Sequence, residues 1–121
     1  MIRLTEAEWS VMLVLWDGHN DSLGNVSAAL KPATNWSRNT VHTYLTRMEK
    51  KGLVHIDRTT EPHRYLAAVS REACAKLERS KLLNKVYEGA AGDLIAAFLK
   101  ESTISSEERA RLRRLLDDME V

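Results

Sequence analysis

Asn39, Thr43 and Arg47 recur every four residues, with His42 among them and Ser37, Arg38 and Thr40 just before. These side chains match the chemistry displayed by a DNA groove. Asparagine can pair with adenine through two hydrogen bonds, arginine addresses guanine or a phosphate, and threonine offers a methyl to thymine and a hydroxyl to a phosphate. Glutamate would solubilise a helix equally well but would repel the DNA backbone. Arg58 and Arg64, with His63, follow a few residues on and could meet phosphates beside that groove. The net charge of +1 hides an uneven distribution. Between Arg38 and Arg64 there are six basic residues against three acidic ones, whereas from Ser70 onward the count is ten against ten. A nucleic-acid binder needs only one basic face, and this segment supplies it.

Other chemistry has less support. His42, His55 and His63 are ligand types for a metal, but they sit in a basic segment that suits phosphates better. Cys74, near the start of a helix, has a place where thiols become reactive, yet a buried small side chain is the simpler role. There is no glycine-rich phosphate loop, no His-Glu-x-x-His and no nucleophile beside a base, so neither an enzyme nor a cofactor is expected.

The elements that must hold these residues can be read from caps and periodicity. Thr5 to Glu8 matches a capping box and starts a helix with Trp9, Met12, Leu13 and Trp16 as its buried stripe. Asp17 to Asn20 supplies the turn that ends it. A second helix runs from Leu23 to Leu30 with Val26, Ala29 and Leu30 inward, and Lys31-Pro32 is expected to stop it because proline has no amide to donate. Ser37 caps a third helix, residues 37–51, in which Val41, Tyr44, Leu45 and Met48 face inward. The opposite side then holds Asn39, Thr43, Thr46 and Lys50, flanked by His42 and Arg47. Gly52 ends that helix. Val54 to Thr59 alternates apolar and polar, a Thr-Glu-Pro turn follows, and His63 to Leu66 returns, so residues 53–67 are expected to form a β-hairpin.

The rear half has a different character. Ser70 caps a long helix through about Glu88 with Leu77, Leu83, Val86 and Tyr87 as its apolar residues, and Gly89 and Gly92 are expected to break it. Leu94, Ile95, Phe98 and Leu99 form a second stripe, and Ser105 to Glu108 opens a last helix with Leu112, Leu115, Leu116 and Met119. Three stripes in so short a stretch are hard to bury within one chain of 121 residues. The expected fold is mainly α with a small β-hairpin wing. It comprises a winged helix-turn-helix domain over 1–69 and a helical dimerisation region over 70–121. No apolar run is long enough to span a bilayer, and the first residues lack a secretory pattern, so a cytoplasmic location is expected, in agreement with the single cysteine.

Four segments carry a resemblance to a known family: LTEAEWSVMLVLW at Leu4 to Trp16, NWSRNTVHTYLTRMEKKGLV at Asn35 to Val54, HRYLAAVS at His63 to Ser70, and NKVYEGAAGDLIAAF at Asn84 to Phe98. In that order they resemble the penicillinase-repressor family of bacterial transcription regulators. The resemblance implies a repressor whose C-terminal helices interlock in a homodimer, setting two winged heads on the half-sites of a palindromic operator. Carried over to this chain, the recognition set is Ser37, Arg38, Asn39, Thr40, His42, Thr43 and Arg47, with Arg58, His63 and Arg64 on the wing. Close relatives have basic residues where this chain has Asn39 and His42, a departure that bears on the operator sequence. The dimer set implied is Leu83, Val86, Tyr87, Leu94, Ile95, Phe98, Leu112, Leu115, Leu116 and Met119. Antibiotic-responsive members are cut at an Asn-Phe bond under a membrane sensor protease, and the corresponding bond here is Ala97-Phe98, without the asparagine. Copper-responsive members carry a C-terminal cysteine cluster, which a chain with Cys74 alone does not have. The rival reading is a winged helix that binds protein, with the polar face of the third helix merely solvated.

Overall fold

Thr5 and Glu8 cap one another: the Glu8 amide donates to Thr5 Oγ1 at 3.2 Å, and the Thr5 amide donates to Glu8 Oε1 at 2.9 Å. This capping box starts α1 (Glu6–Trp16) in the computed structural model of the chain, which describes residues 3–18 and 21–119. The remaining elements are α2 (Leu23–Thr34), α3 (Arg38–Lys50), β1 (Val54–Asp57), β2 (Arg64–Ala67), α4 (Arg71–Tyr87), α5 (Ala91–Glu101) and α6 (Ser106–Asp118). Of the turn expected after α1, Asp17 and Gly18 are seen as such, while His19 and Asn20 lie outside the described residues.

The buried face of α1 is Glu8, Val11, Met12 and Leu15, one position away from the expected stripe. Leu13 is 45% exposed, and Trp9 and Trp16 lie half-buried at the margin, meeting edge to face with ring centroids 5.6 Å apart. From Trp9 to Trp16 only Ser10 is polar, so apolar spacing cannot select a face. Tertiary contacts decide instead. Trp16 Nε1 donates to the Val69 carbonyl at 2.9 Å, and Lys51 Nζ donates to Glu8 Oε2 at 2.7 Å, tying the start of α1 to the end of α3.

α2 begins at Ser22, whose hydroxyl accepts from the Asn25 amide at 3.1 Å, and it continues past Pro32 rather than stopping there. The amide that proline lacks would have reached the Ala28 carbonyl. Ala28 is exposed, so water can take that bond. Thr34 Oγ1 donates to the Leu30 carbonyl at 2.8 Å, and Asn35, left-handed at φ 55°, ends the helix. Val26 and Leu30 are buried as expected, but Ala29 is exposed.

Ser37 caps α3, accepting from the Thr40 amide at 3.2 Å. Val41, Leu45 and Met48 are wholly buried, while Tyr44 is half-buried and stacks on Trp36 at 4.6 Å. Gly52, at φ +80°, turns the chain out of α3 as expected, with the Leu53 amide reaching back to the Met48 carbonyl at 2.9 Å. β1 and β2 pair antiparallel in the register Val54↔Ala67, His55↔Leu66, Ile56↔Tyr65 and Asp57↔Arg64. Leu53, Val54, Ile56 and Tyr65 complete the core built by α1, α2 and α3.

The chain divides into two compact units, Met1–Arg79 and Ser80–Val121, with the division inside α4. Ser70 Oγ accepts from the Ala73 amide at 3.1 Å at the start of α4. The break after α4 is made by Glu88 and Gly89, both at positive φ, whereas Gly92 lies within the first turn of α5 and breaks nothing. Ser105 caps α6 through the Glu108 amide at 3.1 Å.

Glu8 makes a testable contribution to the front unit. Burial alone would push its carboxyl up, but the hydrogen bond and charge of Lys51, with the bonds from Thr5, hold it below its usual 4.5. A carboxyl lowered by folding contributes stability above its unfolded value and loses it as pH falls through its folded value. Urea midpoints should therefore decline on acidification below about pH 4.5, and Glu8→Ala should cost about 1–2 kcal/mol at neutral pH and flatten that decline.

Candidate nucleic-acid interface

α3 presents a continuous polar face. Ser37, Arg38, Asn39, His42, Thr43, Arg47 and Lys50 are exposed, and Thr40 and Thr46 are half-buried. Among the described residues, Arg38, Arg47 and Lys50 form no ion pair, so their charges remain available to a ligand. Two of the expected contacts already have structural duties: the Ser37 hydroxyl caps the helix and lies 3.1 Å from Thr40 Oγ1. Thr43 Oγ1 donates to the Asn39 carbonyl at 3.0 Å, which leaves its oxygen able to accept and its methyl free for an apolar contact. Arg38 lies beside the first turn of α2, where a methyl built on Gly24 would come within 3.1 Å of Arg38 Nη2. A helix N-terminus and a guanidinium placed together favour an anion.

The wing departs from a simple basic surface. Arg58 Nη1 and Nη2 donate to Glu49 Oε2 and Oε1 at 2.6 and 2.9 Å, and this forked bond holds the Glu49 carboxyl below its ordinary range. Arg64 Nε donates to Asp21 Oδ2 at 2.9 Å, and its Nη2 lies 2.8 Å from the same oxygen. His63 is half-buried, with Nε2 3.7 Å from Glu61. It shares a surface hollow with Leu23, His42, Glu61, Pro62 and Tyr65, so His42 of α3 and His63 of the wing are brought together. His55 lies elsewhere, exposed on β1. Among the described residues no three His, Cys, Asp or Glu side chains are grouped to hold a metal ion. Cys74 is 2% exposed, and burial pushes its thiol up, the opposite of an activated nucleophile. Asp21 and Glu49 did not stand out in the sequence, because no local signal links a carboxylate to an arginine far along the chain.

In the rear unit no described residue is buried. Of the residues expected to dimerise, Leu83, Tyr87, Leu94 and Leu112 are half-buried, and Val86, Ile95, Phe98, Leu115, Leu116 and Met119 are exposed. Leu82 and Leu99 are exposed as well. Ala97 is half-buried and Phe98 57% exposed, both inside α5. Among the described residues no helix is long and apolar enough to cross a membrane.

The family model described as the penicillinase repressor matches residues 4–118. The chain belongs to the penicillinase repressor family. It is 30% identical over 116 residues to the methicillin resistance regulatory protein MecI of Mammaliicoccus sciuri, covering 95% of this chain and 94% of that protein. It is 25% identical to the penicillinase repressor of Bacillus licheniformis, over 96% of this chain and 91% of the other. The penicillinase repressor of Staphylococcus aureus is 24% identical, over 98% and 94%. Members of the penicillinase repressor family are transcriptional repressors, and this chain is a DNA-binding repressor rather than an enzyme. The winged helix expected from its three front helices and hairpin accords with that membership.

Proposed function

We propose that the protein represses transcription as a homodimer on a palindromic operator, with α3 of each chain in a major groove and the rear helices interlocked. The observation that carries this reading is the outer face of α3, exposed along its length and bearing Arg38, Arg47 and Lys50 without acidic partners among the described residues. A major groove admits one helix, and the residues near its N-terminus reach the bases. Asn39, His42 and Thr43, in the first half of α3, address the bases, and Arg47 in its last turn addresses a base or a phosphate, while Ser37 and Thr40 hold the helix end and Arg38 meets a phosphate at the start of α2. The wing lies beside the DNA backbone with His63 facing it. The rear unit supports the dimer because it exposes Phe98, Leu115, Leu116 and Met119 at more than half their area and buries nothing by itself among the described residues. The site of action is the cytoplasm.

Salt dependence separates this reading from a winged helix that binds protein. A dimer neutralising six or more phosphates should lose about a thousandfold in affinity between 50 and 200 mM salt. A flat response across that range would favour an apolar protein partner instead.

A further inference from the structure

A hairpin of two four-residue strands does not hold its own position in water, and the outer end of this one is tied to two helices. Arg58, immediately after β1, forks onto Glu49 of α3 at 2.6 and 2.9 Å. Arg64, the first residue of β2, pairs with Asp21, its Nε donating at 2.9 Å and its Nη2 lying 2.8 Å from the same carboxylate oxygen, and the Asp21 carbonyl also accepts from the Tyr65 amide at 2.7 Å. Asp21 directly precedes Ser22, the cap of α2. Asp57 and Arg64 are partners across the ladder, so both ties act at the same end, where the wing tip begins.

The distribution of charge points the same way. Residues 53–67 carry Arg58 and Arg64 against Asp57 and Glu61, and the tip from Thr59 to Pro62 holds no cation. With Glu49 and Asp21 paired to the two arginines, the wing has little net attraction for phosphate. The arginine side chains are about half exposed, and such pairs contribute little to folding stability, so their value lies in geometry. A forked guanidinium–carboxylate bond fixes direction as well as distance.

We propose that Glu49 and Asp21 are positioning residues for operator recognition: through Arg58 and Arg64 they set the angle of the wing to α3, and the two arginines brace the wing instead of contacting phosphate. This deepens the reading of α3 as the recognition helix and rests on it. A wing held at one angle meets the DNA backbone in one place, which favours the operator over other sequences without adding charge.

The test uses the full chain with Glu49→Gln and Asp21→Asn, singly and together, the latter keeping the Asp21 carbonyl bond to Tyr65. Binding is measured on the operator and on random duplex DNA across a range of salt. The double variant should bind the operator about tenfold more weakly, with random DNA and the salt slope unchanged. Arg58→Lys, which keeps the charge and loses the fork, should reproduce the Glu49→Gln loss, and unchanged melting temperatures would exclude unfolding as its cause. Electrostatics alone predicts the opposite sign. Freed arginines would tighten binding to both DNAs and steepen the slope by about 0.9 for each phosphate gained. That result, or unchanged operator binding, overturns this proposal alone, while a wild-type protein without sequence preference overturns the recognition reading and this proposal together.

Discussion

Arg47→Ala should take operator binding out of the range in which the wild-type protein saturates, while the dimer and the fold stay intact. Arg47 is exposed on α3, two turns along from Asn39, and has no ion pair among the described residues. Loss of a bidentate base contact costs about 1–3 kcal/mol, or roughly fivefold to more than a hundredfold in affinity. If Arg47 meets a phosphate instead, the loss falls equally on all sequences and the salt slope drops by about one. Both outcomes are visible in one anisotropy titration on operator and random duplex. Stability should hardly move, because a surface substitution away from a cap or pair stays within about 0.5 kcal/mol. Wild-type affinity in this variant would remove Arg47 from the interface and weaken the case for α3.

The second large effect concerns assembly. Leu115→Asp combined with Leu116→Asp should yield monomers that keep the winged head folded. In the single chain these leucines are 54% and 56% exposed, so the substitutions remove little packing within the rear unit. In a dimer they would place unpaired carboxylates in an apolar interface, at several kcal/mol for each buried charge. Sedimentation velocity reads the outcome. An unchanged sedimentation coefficient would exclude α6 from the interface and leave α4 and α5 to carry it. A monomer should also lose most operator affinity, since two linked heads hold DNA far more tightly than one.

The features behind these effects differed in how openly the sequence displayed them. The face of α3 was legible because its cap, its apolar stripe at Val41, Leu45 and Met48, and its Gly52 stop all agree. The hairpin was legible for the same reason, its alternation matching the observed register. α1 was not, because a helix apolar on nearly every side gives periodicity nothing to choose between, and a buried carboxylate at Glu8 runs against composition. Pro32 misled because its local rule counts a missing bond, and at an exposed carbonyl water can make that bond. Gly92 misled in a similar way: in the first turn of a helix the backbone amides have no intrahelical partner in any case. The wing arginines read as phosphate contacts, and nothing in the sequence showed that each also pairs with a carboxylate, Glu49 or Asp21. Pairings across 9 and 43 residues leave no trace in spacing.

Everything proposed for the front unit depends on α3 of two symmetric chains reading a specific DNA sequence. Selection of bound sequences from random duplex DNA by the purified protein tests this without intermediaries. A palindromic consensus is expected from the wild-type protein, with half-sites about one helical turn apart, about 34–36 Å. No enrichment at low salt, or a consensus without two-fold symmetry, would contradict it.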